Sequence, residues 1–451
     1  MIGPRSRMLA IALVVLALSA LGADSVRAQS RDRCVMVLDP LPRATLLQLR
    51  DSTTGGVSSM FISGGLRARC DGTTMVVTAD SAAYLGNARL LILVGKATYS
   101  EDGTTLTSDV MRYFEQDARL EADGNARLRS ATGTSLDALQ LIHHRAIVGV
   151  REASSLALGR PHALLRDSLS VPDSLATRID ADRMYSVGDS ALFAGGEVVI
   201  TRPDLVARSD SAEARKLTET LVLLGGTPSM EASGERPFTL RGAFIDVVGA
   251  ERRIDRVLAR GEAVALSDSL TLSSDTILVD FAEGQLARVR TWGPVPSHAV
   301  TGGRDITADS IDIKLPGQRI EELWAIGRAR AATPADSTIV SAEDDWLAGD
   351  TVRAVFEPPP GADSLSANPV LKVLEARGRA RSFYQIPSRD TAERRPAINY
   401  VLGARIDVAF SGGEVTVVYV SKDAQGVYLE PGRIEPVAPR TAPRPVRRDA
   451  R

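Results

Sequence analysis

The sequence is poor in the residues from which most catalytic and metal sites are built. It has four histidines and two cysteines in 451 residues, and aromatic residues make up only 4%. His143 and His144 are adjacent, so in a strand they would point to opposite faces and make a poor metal site. No Gly-x-Ser-x-Gly nucleophile motif is present. The sequence therefore predicts no catalytic residue, no metal site and no cofactor, and an interior of Val, Leu, Ile and Ala.

Net charge and hydrophobic runs exclude further classes. The formal net charge is −2, whereas nucleic-acid binders are usually basic, so we expect no nucleic-acid partner. Beyond residue 21 no apolar run is long enough to cross a bilayer as a helix. No stretch between the repeats described below holds a sustained 3.6-residue apolar period, which argues against helices. We expect no transmembrane segment in the mature chain.

Residues 1–28 are predicted to be a secretory signal peptide. Arg5 and Arg7 form its charged region, residues 8–21 its short apolar region, and Val26-Arg27-Ala28 a cleavage site. The expected location is therefore the periplasm, in association with the outer or inner membrane. An uncleaved signal that anchors the chain in the inner membrane is the alternative. Residues 29–56 are interpreted as a lead-in segment without a clear repeat.

The two cysteines are Cys34 and Cys70. In an oxidising compartment they could form one disulfide that ties the N-terminal segment to the first repeat. Two unpaired thiols are the alternative. Their separation does not suit a metal site.

A repeat of two residues, Asp then Gly, dominates the chain. Asp80 is followed fifteen residues later by Gly95, and Asp109 fifteen residues later by Gly124. The Gly returns, in stronger and weaker copies, at Gly159, Gly196, Gly226, Gly261, Gly293, Gly327 and Gly378. The Asp returns at Asp137, Asp182, Asp210, Asp246, Asp275, Asp309, Asp350 and Asp407. Such recurrence indicates a repeat architecture.

Each repeat is predicted to be a pair of strands. After Gly124, residues alternate between apolar and polar, with Ala126 and Leu128 on one face and Arg127 on the other. A two-strand unit cannot bury its apolar face alone, so the units must stack. The sequence predicts an all-β protein: an elongated rolled antiparallel β-jelly-roll, or solenoid-like stack, of about ten two-strand repeats. The Gly is expected at a bulge or close approach, and the Asp at a strand end or turn.

The repeats define the expected domain organisation. Residues 57–165 hold the most regular copies and residues 178–430 hold the rest. The polar segment 166–177 is expected to be an internal boundary. Residues 431–451 are rich in Pro and Arg and nearly free of apolar side chains, so this tail is expected to be disordered.

These repeats resemble the OstA/LptA family of periplasmic lipopolysaccharide-transport proteins, to which the N-terminal domain of the LptD translocon is related. The resemblance depends on Thr78-Ala79-Asp80-Ser81-Ala82-Ala83-Tyr84 with Gly95-Lys96-Ala97, on the copies that follow, and on apolar ladders such as Ile254 to Gly261. It is best over residues 57–165 and recurs over 178–430. The chain is much longer than LptA-like proteins and lacks the C-terminal strands of an LptD barrel.

The resemblance implies a V-shaped jelly-roll whose slit holds acyl chains and whose open edges pair with other envelope transport proteins. The ligand implied is lipopolysaccharide or another acylated glycolipid, carried for outer-membrane assembly. Candidate groove residues are those on the apolar side of the best strands: Ala97, Tyr99, Ala126, Leu128, Val198, Ile200, Ala263 and Ala265. Alternation alone leaves open whether they line a slit or an ordinary closed core.

Two other functions fit the same repeats. The first is a non-catalytic exported β scaffold that binds polysaccharide or envelope proteins. The second is a carbohydrate-active β-helix enzyme with clustered Asp. The Asp recurs in every unit, whereas a catalytic cluster should stand out from the repeat, so we do not expect an enzyme.

Overall fold

The computed structural model describes residues 36–39, 41–50, 57–166, 172–234, 237–250, 253–359, 369–387, 395–412 and 414–431. The predicted signal peptide, Cys34 and the predicted tail from residue 432 onward lie outside these residues. The chain divides into two compact units, residues 1–196 and 197–451. The boundary expected at 166–177 stays a prediction.

Unit 1 is built from strands, with one 3-10 turn at Asp173–Leu175. Its strands are β1 Met36–Leu38, β2 Thr45–Arg50, β3 Val57–Cys70, β4 Val76–Leu85, β5 Leu90–Glu101, β6 Thr104–Phe114, β7 Arg119–Arg129, β8 Ser135–His144, β9 Ser154–Leu158, β10 His162–Leu165, β11 Thr177–Asp180, β12 Arg183–Val187 and β13 Ala191–Arg202, whose last six residues belong to unit 2.

Unit 2 continues in the same way, with one 3-10 turn at Pro316–Gln318. Its strands are β14 Leu205–Arg215, β15 Thr220–Leu224, β16 Ser229–Ala232, β17 Phe238–Arg241, β18 Phe244–Ala250, β19 Arg253–Ser267, β20 Leu270–Ala282, β21 Gln285–Trp292, β22 Ser297–Thr301, β23 Arg304–Ala308, β24 Ser310–Lys314, β25 Glu322–Thr333, β26 Asp345–Glu357, β27 Val370–Ile386, β28 Ala397–Ser411, β29 Glu414–Ser421 and β30 Gln425–Leu429. The predicted all-β antiparallel class is confirmed.

In most long strands, the pairing with the next strand shifts register once. The shift divides each strand into two runs, and these runs form the two arms of each unit. β5 pairs with β6 through Leu90–Val94 and again through Ala97–Glu101, with a register shift between the two runs. In unit 2, β19 shows the same shift between Arg260 and Ala263. We call the run that contains Leu90–Val94 arm A, the run that contains Ala97–Glu101 arm B, and the shift the corner. On β19, Arg256–Arg260 lies in arm A and Ala263–Leu266 in arm B.

The Asp–Gly repeat builds the corner. Gly95 has φ of +78° and Lys96 has φ of +47°, so two successive residues in the left-handed region turn the strand. Asp80, on the neighbouring strand β4, lies against Gly95. Asp80 is in the middle of its strand, so the expectation of a strand end or turn is wrong for this residue. The same Asp–Gly contact recurs at Asp109–Gly124, Asp182–Gly196, Asp210–Gly226, Asp275–Gly293, Asp309–Gly327 and Asp350–Gly378.

Three predicted repeat positions are wrong. Asp407 lies against no Gly of the described residues and forms an ion pair with Arg405. Leu139, not Asp137, lies against Gly159, and Ala243, not Asp246, lies against Gly261. Asp137 instead forms an ion pair with Arg127. The corner therefore accepts an apolar side chain in place of the Asp.

The core of each unit lies between its arms. Alternate residues of both arms are buried, for example Leu93 and Ala97 of β5, both 0% exposed. In unit 1, the Tyr99 ring of arm B lies 5.9 Å from the His143 ring of arm A, centroid to centroid. In unit 2, Val257 and Leu272 lie on opposite arms and are both 0% exposed. Burial of these aliphatic rows stabilises each unit.

Candidate functional site: the open side of the roll

The side of each unit opposite the corners is where the arms end in turns. Unit 2 has a cavity of about 400 Å³ on this side. Leu205, Met230 and Phe238 of arm B line one wall. Ile254, Phe281 and Leu286 of arm A line the other. We call this space the slit cavity.

An aromatic pair spans the slit cavity. The rings of Phe238 and Phe281 lie 6.1 Å apart, centroid to centroid, at an angle of 39°. Each ring is half-buried, so each presents part of its surface to the cavity. Aromatic and aliphatic surfaces of this kind favour an apolar ligand, because burying them removes apolar area from water.

Charged and polar groups border the apolar walls. Arg202 donates from Nε to Asp204 Oδ1 at 3.1 Å, and both residues line the slit cavity. Arg253, exposed at the start of β19, and Gln285 lie on the arm A side. The slit cavity therefore has apolar walls and a polar, charged border.

On the corresponding side of unit 1, a buried ion pair links the two arms. Arg145, directly after β8 in arm A, donates from Nε to Glu101 Oε2 of arm B at 2.7 Å and pairs a second nitrogen with Glu101 Oε1. Their side chains are only 12% and 15% exposed. Arg145 also donates to the Tyr113 hydroxyl at 3.1 Å, and the Tyr99 hydroxyl donates to Glu101 at 2.5 Å. The pair thus joins the two arms.

Burial shifts the titration of this polar cluster. Burial and the hydrogen bond to Glu101 raise the pKa of Tyr99, and burial raises the pKa of Tyr113. Burial opposes the charge on Arg145, but its hydrogen bonds to Glu101 prevail and raise the pKa of Arg145. Burial also lowers the pKa of His143 to about 4, and its Nδ1 lies 2.9 Å from Ser155 Oγ. His143 is therefore neutral at pH 7.

The eight predicted groove residues are not among the residues that line the slit cavity. Six are core residues with exposure of 2% or less: Ala97, Tyr99, Ala126, Val198, Ile200 and Ala263. Leu128 and Ala265 are half-buried. These residues contact an acyl chain only if the arms separate, and their groove role stays a prediction.

The sequence reasoning missed the cavity residues because it followed the strands next to each Gly. Phe238 and Phe281 lie at strand ends, far from the corners. A signal is present in the sequence: with aromatic residues at 4% of the chain, phenylalanines beside predicted turns such as Glu283-Gly284 are candidates for an exposed apolar site.

Cys70 is buried and disulfide-bonded. Its predicted partner, Cys34, lies outside the described residues, so the pairing stays a prediction. Met36, two residues after Cys34, lies opposite Cys70 in the β1–β3 register. This register brings the N-terminal segment beside β3.

Strands β2, β29 and β30, near the two ends of the described chain, present apolar side chains to solvent. All six residues of β2 are exposed, including Leu46, Leu47 and Leu49 at 48–59%. β2 pairs with β3 on one side, and no second neighbour of β2 is found among the described residues. In unit 2, β29 and β30 both pair with β28, and Tyr419 and Tyr428 are exposed. Such edge strands can pair with another chain.

Two features are absent from the described residues. None of their helices is long and apolar enough to span a bilayer. They contain no group of three or more His, Cys, Asp or Glu side chains placed to hold a metal ion.

Comparison with known proteins gives similarity to solved structures. No family model matches the chain, and no curated protein matches it. Among solved structures it is similar to the crystal structure of LptH from Pseudomonas aeruginosa, the LptA-homologous periplasmic component of the lipopolysaccharide transport device. That match has 17% identity and a TM-score of 0.22, and covers 24% of this chain and 79% of LptH. At this level the similarity assigns neither a ligand nor a function to the chain.

Proposed function

We propose that this protein is a periplasmic lipid-transport or bridge protein that binds lipopolysaccharide or a similar acylated glycolipid for outer-membrane assembly. The slit cavity of unit 2 carries the proposal. Its volume lies in the range of small-molecule sites, and apolar walls with a few polar groups are typical of such sites. Acyl chains lie against Phe238, Phe281 and Leu286, and each buried methylene contributes about 0.8 kcal/mol.

The exposed edges support the bridging part of the proposal. A strand such as β2, with no second neighbour among the described residues and apolar side chains on both faces, can accept a strand from another envelope protein. Backbone hydrogen bonds would give affinity, and Leu47 and Leu49 would add apolar contact. An acylated ligand could then pass between chains without exposure to water.

A non-catalytic scaffold that binds polysaccharide or envelope proteins is the second candidate. The observation that favours it is the interior of unit 1, where Leu93, Met111 and Leu120 are 0% exposed and the Glu101–Arg145 pair joins the arms. An interior filled by its own side chains, with its arms joined by an ion pair, needs no ligand to fill it.

Lipid analysis separates the two candidates. The full chain is purified from the periplasm of cells that produce it, and extracted lipids are quantified by mass spectrometry. Phe238→Asp and Leu286→Asp should each reduce bound glycolipid at least tenfold, because they place a charge in the slit cavity. Leu217→Asp, at a position 90% exposed in unit 2, is the matched control and should retain it. Wild-type protein that carries no lipid and takes up no added lipopolysaccharide would contradict the lipid-transport proposal and favour the scaffold function.

A further inference from the structure

Arg304 is an interior-facing arginine on the open side of unit 2. It begins β23, and Ile306 and Ala308, on the same face of that strand, are 1% and 2% exposed. Its guanidinium carbon lies 5.1 Å from the centroid of the Phe410 ring. Arg304 is in arm B, because β23 pairs with Arg330–Ala332 of β25, and Phe410 is in arm A. The contact therefore crosses between the arms.

No carboxylate neutralises Arg304 within the part of the chain that the structure describes. Its one polar contact there is a hydrogen bond donated from a terminal nitrogen to the Gly302 carbonyl oxygen at 3.1 Å. Burial without a compensating acid lowers the pKa of Arg304. The interior arginine of unit 1, Arg145, has Glu101 as its partner, and Arg353 on the outer face of unit 2 has Glu322.

The surroundings of Arg304 suit an oxyanion. A guanidinium has five N–H donors in a rigid fork, and the Gly302 bond uses one nitrogen. Phe410 covers the guanidinium from the other arm, which leaves the edge of the fork to a ligand. Thr301, 5% exposed, lies directly opposite Arg304 in the β22–β23 hairpin and adds a hydroxyl group nearby.

We propose that Arg304 binds an oxyanion, the phosphate or carboxylate of an anionic amphiphile, between the arms of unit 2. The amphiphile part rests on the proposed lipid-binding function, whereas the oxyanion site does not. The paired fork of an arginine can hold two oxygens of one phosphate or carboxylate group. Charge, rather than acyl length alone, then selects the ligand.

The test compares three probes on the full chain by isothermal titration calorimetry: dodecyl phosphate, dodecyl maltoside and inorganic phosphate. Wild type should bind dodecyl phosphate at least tenfold more tightly than dodecyl maltoside. Arg304→Gln should weaken dodecyl phosphate binding about tenfold or more and leave dodecyl maltoside binding unchanged. Arg304→Lys, which keeps the charge, should retain part of the preference.

Arg330→Gln is the matched control. Arg330 also lies over an aromatic ring, that of Trp346, at 5.6 Å from its centroid. Its neighbours Ala329 and Ala331 are buried, so Arg330 lies on the opposite, outward face of the strand. Its loss should change no affinity. Unchanged dodecyl phosphate binding by a folded Arg304→Gln protein would overturn the site. If inorganic phosphate binds as tightly as dodecyl phosphate, and this binding depends on Arg304, the site is supported and its ligand is a free anion. Wild type that binds neither amphiphile would reject the lipid function, and the phosphate titration would still decide the Arg304 site.

Discussion

The carboxylate of Asp80 occupies the space that a side chain on Gly95 would need. A Cβ at Gly95 would lie 2.6 Å from Asp80 Oδ2, closer than van der Waals contact allows. The two residues lie on neighbouring strands and together make the corner of the roll. The Asp–Gly repeat is thus a structural device that turns each strand from arm A into arm B.

Replacing Gly95 tests the corner. Gly95→Ala should destabilise the protein by the cost of a left-handed residue, about 1–2 kcal/mol, plus about 1–3 kcal/mol for the forced contact with Asp80. Gly72→Ala is the control, because Gly72 has φ of +76° and a Cβ there would meet nothing within 4 Å. Urea unfolding measures both variants. Adding Asp80→Ala to Gly95→Ala should recover part of the loss, and equal effects of the two glycine changes would refute the contact.

The ion pair of unit 1 should matter more than a surface pair. Arg145→Met leaves Glu101 buried and unpaired, which should cost about 3–5 kcal/mol. Arg127→Met breaks the pair with Asp137, whose side chains are 50% and 32% exposed, and should cost at most about 1 kcal/mol. Thermal and urea unfolding of the two variants compare these costs. A similar small loss in both would mean that the Glu101–Arg145 pair does not hold the arms together.

His143 should make stability depend on pH. Its folded pKa of about 4 lies below the value of about 6.5 in an unfolded chain. The unfolded state therefore binds the proton first, so this contribution is complete above pH 6.5 and is lost as pH falls toward 4. The loss is on the order of 3 kcal/mol. Urea unfolding between pH 4 and 7 should show this slope in wild type and a weaker one in His143→Gln. His298→Gln reports the effect of removing an exposed imidazole, and an unchanged slope in His143→Gln would contradict the assignment.

The exposed strand β2 should govern association. If β2 pairs with another chain, Leu47→Lys with Leu49→Lys should reduce self-association or capture of envelope partners, because lysine on an edge strand opposes pairing. Light scattering after size-exclusion chromatography, with and without detergent-free envelope extract, measures the change. Leu217→Lys, at an exposed position outside the strands, is the control. Retained association in the β2 variant would exclude this edge as the contact.

The repeat shows how far sequence reasoning reaches. The alternation after Gly95 places Ala97 and Tyr99 on one face of a strand, and both are buried on β5. The fifteen-residue spacing from Asp80 to Gly95 is visible too, but the pattern predicts a strand end for the Asp. Asp80 and Gly95 lie side by side because β4 pairs with β5. Spacing alone does not define that pairing.

The candidate site is harder to predict for a related reason. Phe238 and Phe281 come from different hairpins, and Arg304 meets Phe410 from more than a hundred residues away. Glu101 ends β5, and Arg145 follows β8. Alternation identifies the inward face of each strand, but it contains no information on which positions of the two arms face each other.

The sequence by itself determined that this chain is all-β, that its strands have one apolar face, and that a Gly recurs where a bulge or close approach is expected. These properties follow from local rules: the two-residue period of a strand and the freedom of glycine at positive φ. Only the tertiary structure decided that an ion pair joins the arms of unit 1, and that unit 2 has a cavity and an interior arginine with no acidic partner among the described residues. Those outcomes depend on the contact of two arms folded about the corners, and contacts between distant residues are fixed by packing rather than by local pattern.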